Sequence, residues 1–133
     1  MYTILNFPRV TDSRGSLTYI NNLKEIPFEI KRVFMVSGVP KGLSRGGHAH
    51  KNLQEVLIPL NGSFCVEVTD GKDYSEILLS DDDAGILIPP SSWRVVTKYS
   101  PGAICLSLCS QEFDSSDYIH NWEEFKNYYK GNL

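Results

Sequence analysis

The stretch Gly42–Gly62, GLSRGGHAHKNLQEVLIPLNG, decides how this chain is read. Gly42 is followed by five residues, then His48-Ala49-His50, four residues, Glu55, six residues and Gly62. The spacing predicts one strand or two, broken by a bend, over residues 48–59, and Asn61-Gly62 is the strongest hairpin signal in the chain. Histidines at i and i+2 point to the same side of a strand. In a small closed barrel one side is the lumen. His48 and His50 are therefore expected to enter one enclosed cavity.

Outward from this stretch, short apolar runs alternate with turn signals. Residues 2–7, 16–20, 30–37, 63–69, 74–79, 85–88, 93–99 and 103–109 read as further strands. The turns between them include 11–15, a glycine-rich loop at 38–47, Asp70-Gly71 and Asp81-Asp82-Asp83. About ten short strands separated by turns predict an all-β barrel or sandwich. From Ser115 onward the period changes. Tyr118, Ile119, Trp122, Phe125 and Tyr129 recur at helical spacing, with Asp117 as the expected cap. The organisation expected is a single domain over 1–133, with a barrel at 1–114 and a helical tail at 115–133.

Composition narrows the partners. The chain has 133 residues, 41% hydrophobic and 22% charged, with a formal net charge of −3. That is ordinary for a soluble globular protein with one core. No basic run exceeds Lys31-Arg32, so no nucleic-acid footprint is expected. The N-terminus lacks the pattern of a signal peptide, and no apolar run approaches a membrane span. Cys65, Cys105 and Cys109 lie in apolar surroundings and read as buried reduced thiols, which fits a cytoplasmic location.

The spacing of the opening stretch resembles the first signature of the cupin barrels, many of which hold a metal through three histidines and a glutamate. Continuing the strand phase from His48 and His50 reaches Asn52 and Gln54. Gln54 then occupies the inward phase, while Glu55 points outward unless a bulge resets it. A neutral amide is a poor transition-metal ligand. Arg94 follows Pro89-Pro90-Ser91-Ser92-Trp93, where the third histidine would stand, and a guanidinium has no lone pair to give. The remaining histidine, His120, falls in the predicted tail. The expectation is therefore no metal and no cofactor. Two free imidazoles titrating near neutrality are equipment for enolisation next to a carbonyl. Arg14, Arg45 and Arg94 are candidate clamps for phosphate or sugar oxygens. Tyr19, Phe34, Trp93 and Tyr99 are candidate stacking surfaces.

The run Arg45-Gly46-Gly47-His48-Ala49-His50-Lys51 does not stand alone. Asp12-Ser13-Arg14-Gly15, Ile30-Lys31-Arg32-Val33, Asn61-Gly62-Ser63, Pro89-Pro90 before Trp93, and Asp117-Tyr118-Ile119 accompany it. Together they resemble the bacterial nucleotide-sugar 3,4-ketoisomerases of the cupin fold over nearly the whole chain. The resemblance implies a small RmlC-like jelly-roll barrel with a short C-terminal helix. It implies a dTDP-linked 4-keto-6-deoxyhexose as substrate, the ketone moving from C4 to C3 without a metal. It implies a homodimer with exchanged N-terminal strands, serving the biosynthesis of 3-amino-3,6-dideoxyhexoses of surface glycans. His48 and His50 map onto the acid/base pair and Arg45 onto the family arginine. Tyr19, Gln54, Trp93 and Arg94 join Arg14 and Arg45 as expected substrate contacts. Many relatives carry a tyrosine near Met35, and several carry Trp-His where this chain has Trp93-Arg94. Arg94 with Tyr19 resembles the branch that forms the gluco product. An epimerase using the same enolisation and a non-catalytic sugar-binding barrel are the competing readings.

Overall fold

The computed structural model describes residues 1–81 and 83–131. Asp82, expected in a turn, and Asn132 and Leu133, expected in the tail, lie outside the described residues. In chain order the first strands are β1 (Thr3–Asn6), β2 (Arg9–Asp12), β3 (Gly15–Thr18), β4 (Arg32–Ser37), β5 (Arg45–His50) and β6 (Glu55–Asn61). There follow β7 (Phe64–Thr69), β8 (Tyr74–Leu79), β9 (Ala84–Ile88), β10 (Trp93–Thr97), β11 (Ile104–Cys109) and β12 (Tyr118–Ile119), then helix α1 (Trp122–Gly131). One five-stranded sheet runs β1-β9-β6-β11-β4 and the other β12-β5-β10-β7-β8. The hairpin β2-β3 forms a sheet of its own. The strands pair antiparallel, as expected of a jelly roll.

Period-two burial assigns each side chain a layer. Leu57, Phe64, Val66, Val68, Leu79, Ile86, Ile88, Val96 and Cys105, drawn from both sheets, form one cluster between them. The backs of the sheets are covered separately. Phe7, Ile26 and Phe28 pack on Val56, Ile58 and Leu108 behind the first sheet. Phe125 of α1 packs on Ala49 and Ile119 behind the second. Cys65, Cys105 and Cys109 are free and buried, and burial pushes the Cys105 thiol up to about 12.

Two expectations change here. The strand phase does not carry from His50 to Gln54, because β5 ends at His50 and the chain crosses to the other sheet before β6 begins. The crossing resets the phase, so Glu55 points inward with Leu57 and is buried. The tail also differs. Tyr118 and Ile119 are extended and pair with His50 and Ala49, so they belong to the barrel sheet rather than to a helix. Asp114 caps a short 3-10 turn at Ser115–Asp117, its carboxylate accepting from the Ser116 N–H at 3.0 Å, and Asn121 caps α1, accepting from the Glu124 N–H at 3.0 Å. No helix among the described residues is long and apolar enough to cross a membrane.

Candidate active site

The inner faces of β4, β5, β10 and β12 line a cavity of about 470 Å³. Opposite His48 in register stands Arg94. Between them and the strand start, the β5–β10 register slips, with Arg94 facing His48 but Val96 facing Arg45. This is a β-bulge at Gly46-Gly47. Gly46 adopts φ +78°, a left-handed conformation that favours glycine, and a Cβ there would come within 3.4 Å of the Arg94 Nη1. The two glycines of the motif thus let β5 bend and let Arg94 lie against it.

His48 and His50 enter the same interior but not on equal terms. His48 lines the cavity, whereas His50 is 6% exposed and stands behind it. Their Nε2 atoms lie 3.1 Å apart. The other nitrogen of His50, Nδ1, is 3.1 Å from Asp117 Oδ2. Asp117 is buried, and its carboxylate also accepts from the Asn52 N–H at 2.8 Å, the Asn52 side-chain amide at 3.2 Å and the Leu53 N–H at 3.3 Å.

This chain of bonds assigns the protons. The Asp117 carboxylate is an acceptor, so the proton of neutral His50 sits on Nδ1 and its Nε2 offers a lone pair. His48 must then donate from Nε2, which leaves the His48 Nδ1 lone pair as the base available to the cavity. Burial, with the Arg94 charge beside it, pushes the His48 imidazole down to about 2, so it is neutral at any physiological pH. Burial and Arg94 also lower His50, while Glu55 and Asp117 oppose them.

Donors ring the same cavity. The Tyr118 hydroxyl accepts from Arg32 Nη1 at 3.2 Å, which leaves its own O–H free to point elsewhere. The Arg32 guanidinium lies 4.7 Å above the Phe34 ring and 5.2 Å from the Phe113 ring. His120 stacks on Tyr118, its ring 5.3 Å away and 11° from parallel, and lies 5.9 Å from the His48 ring. Arg45, Tyr99 and Arg94 also line it.

The expected site residues therefore divide. His48, Arg45 and Arg94 meet in the cavity with Phe34 and Tyr99, and His50 stands one layer behind. Trp93 faces the other side of β10 and packs its ring against Trp122 and Phe125 at 5.5 and 5.7 Å, beneath α1. Gln54 is not in the lining; its backbone N–H donates to Ser110 Oγ at 2.8 Å, and its neighbour Glu55 takes the inward place. Arg14 and Tyr19 lie on or beside the β2-β3 hairpin, exposed and away from this chain's own cavity. Asp117, Tyr118, His120 and Glu55 were not expected there. The signal for Asp117 and Tyr118 was present in the Asp-Tyr-Ile run, but helical spacing assigned it to the tail.

A family described as "FdtA: WxcM-like, C-terminal" matches residues 1–130. A TDP-4-oxo-6-deoxy-alpha-D-glucose-3,4-oxoisomerase of Aneurinibacillus thermoaerophilus is 39% identical over 125 residues, covering 94% of this chain and 90% of that one. The WlaRB TDP-quinovose 3,4-ketoisomerase of Campylobacter jejuni superposes with a TM-score of 0.91 at 43% identity, covering 95% and 97% of the two chains. QdtA, a sugar 3,4-ketoisomerase of Thermoanaerobacterium thermosaccharolyticum solved in complex with TDP, superposes with a TM-score of 0.96 at 35% identity, covering 99% and 96%.

Proposed function

The chain belongs to the FdtA (WxcM-like, C-terminal) family and is a TDP-sugar 3,4-ketoisomerase, and we propose that His48 and His50 move the protons while Asp117 steers them. The observation that carries the assignment is the bond chain Asp117–His50–His48, which ends on a residue of the cavity wall. In a 4-keto-6-deoxyhexose the ketone at C4 acidifies the hydrogen on C3. His48 Nδ1 takes that proton, and the electron pair of the C3–H bond forms the C3–C4 double bond as the C4 oxygen becomes an oxyanion. His48, now carrying a proton on each nitrogen, passes the Nε2 proton to His50 Nε2. The resulting imidazolium is paired with the Asp117 carboxylate. The oxyanion is protonated by a donor of the cavity wall, with the Tyr118 hydroxyl and His120 in place for it. Loss of the C3 hydroxyl proton and return of a proton to C4 leave the ketone at C3. General acid–base steps of this kind contribute about 10²–10⁴-fold each.

The gluco configuration at C4 is supported by Arg94 on the cavity wall, by Tyr19, and by the similarity to a TDP-quinovose enzyme. A homodimer that exchanges the N-terminal strands is supported by the hairpin. Its Val10 and Leu17 are each 60% exposed, while Val33 and Met35 of edge strand β4 are 55% and 64% exposed. In such a dimer Arg14 and Tyr19 reach the partner's cavity. The TDP-sugar chemistry of the relatives supports a role in supplying amino-deoxysugars for surface glycans.

The deciding experiment is NMR of the product from dTDP-4-keto-6-deoxyglucose in D₂O. The reading expects a 3-keto product with deuterium exchanged at C3. A retained 4-ketone with an inverted carbon would make the enzyme an epimerase. No exchange with unaltered binding in His48→Asn and His50→Asn would make it a sugar-binding barrel.

A further inference from the structure

Beside the reacting histidines lies a buried ion pair that the proton transfers do not use. Arg94 on β10 and Glu55 on β6 come from opposite sheets, and their side chains are 5% and 3% exposed. Arg94 Nη2 is in close contact with Glu55 Oε1. Behind the carboxylate, Ser107 of β11 donates its hydroxyl to Glu55 Oε2 at 2.8 Å, and the Cys109 thiol lies 3.8 Å from the same oxygen. Glu55 is thus hydrogen-bonded from its own sheet and paired by charge with an arginine of the other.

The guanidinium is not used up by this pairing. Its Nη1 lies in the space that Gly46 leaves open. Its Nε–H is buried and has no acceptor among the described residues, although Arg94 lines the cavity. A buried N–H without an acceptor is costly.

We propose that Glu55 is the positioning residue for Arg94, fixing the guanidinium from the opposite sheet so that the edge it turns to the cavity meets the oxyanion that forms at C4. The proposal rests on the isomerase reading. Anchoring matters because a donor helps the transition state only when it is already aimed before charge develops. A guanidinium on a free stem has to be ordered in each turnover. Glu55 also balances a positive charge that would otherwise stand unopposed beside His48 and His50.

The test compares wild type with Glu55→Gln, Arg94→Gln and the double variant, in which both charges are gone and no buried charge is orphaned. The Arg94 Nε–Hε cross-peak in a ¹H–¹⁵N spectrum is the one missing in Arg94→Gln. Its solvent exchange in the substrate-free wild type is expected to be slow, and at least about tenfold faster in Glu55→Gln. Turnover in Glu55→Gln is expected to fall about 10²-fold, in the range for a lost oxyanion donor, with KM moving less than about threefold. In the Arg94→Gln background, Glu55→Gln is expected to add less than about a further twofold loss. If Glu55→Gln does not fold, Ser107→Ala removes only the hydroxyl behind the carboxylate and carries the same test, with an expected loss of about three- to tenfold. An unchanged cross-peak with unchanged kcat, or fully additive losses in the double variant, overturns the proposal. Failure of the wild type to make a 3-keto product overturns the isomerase reading instead, and the exchange of the Arg94 Nε–H in the free protein still decides whether Glu55 holds it.

Discussion

Asp117→Asn separates a steering carboxylate from a merely buried one. The wild-type carboxylate accepts four hydrogen bonds, from the Asn52 N–H, the Asn52 amide, the Leu53 N–H and His50 Nδ1. Asparagine has one oxygen to offer. If that oxygen keeps the shortest bond, 2.8 Å to the Asn52 N–H, the new amide nitrogen faces Leu53 N–H and His50. The first is left without an acceptor, and the charge-assisted bond to His50 is lost. Those two effects come to roughly 3–6 kcal/mol of stability. The kinetic effect is more specific. An amide N–H facing His50 Nδ1 makes that nitrogen an acceptor and moves the His50 proton to Nε2. His48 Nε2 must then accept, so the His48 proton moves to Nδ1 and the lone pair leaves the cavity. The same wrong-tautomer lesion in a serine-protease triad lowers kcat about 10⁴-fold. Turnover of the 4-keto sugar nucleotide, normalised to folded protein by circular dichroism, is expected to fall at least about 10²-fold with modest change in KM. A folded Asp117→Asn enzyme within threefold of wild-type kcat would refute the tautomer chain.

Three further outcomes are expected. His48 and His50 are both held below their unfolded value of about 6.5, so below that pH the unfolded chain binds more protons. Stability is then complete above about pH 6.5 and falls as the pH drops, by up to about 2.7 kcal/mol per pH unit for the two together; urea midpoints at pH 7.5, 6 and 5 that do not fall would contradict this. Mixed dimers of His48→Asn and Arg14→Ala, each of low activity alone, are expected to recover activity, because exchanged strands assemble one intact site per hybrid; no recovery on co-refolding argues against exchange. Phe125→Ala removes a ring that is 1% exposed beneath β5 and β12. It is expected to cost about 3–5 kcal/mol, read as a melting point lower by roughly 10 °C or more.

Much of this was legible in the sequence because the barrel obeys a local rule. Period-two runs and Asn-Gly or Asp-Gly turns mark strands by themselves, and the His48–His50 spacing puts both rings on one side whatever the rest of the chain does. What was not legible depends on which sheet a strand joins. Gln54 and Glu55 exchange places because the chain changes sheet between β5 and β6, and nothing in the alternation announces that. Trp93 looked like a stacking surface, but strand parity alone leaves the choice of side open until α1 is placed behind it. Asp117 was the larger gap. Helical spacing through Tyr118 and Trp122 was real as a pattern, but pairing with β5 overrode it, turning an expected cap into the partner of His50. Arg14 and Tyr19 are the converse case, where the sequence names residues that this chain's own cavity does not contain.

The placement of Asp117 has a consequence for how the enzyme comes into being. A nascent chain that has released β1 through β11 already carries both histidines and most of the barrel. It does not yet carry Asp117, which assigns their protons, or Tyr129, whose hydroxyl donates to the His50 carbonyl oxygen at 2.5 Å. The hydrogen-bond chain is therefore completed last, when β12 adds Tyr118 to the cavity wall and brings Asp117 behind His50. A barrel clipped or stalled before β12 would lack both the carboxylate that orders the histidines and part of the wall around the cavity, so pocket and proton chain mature together.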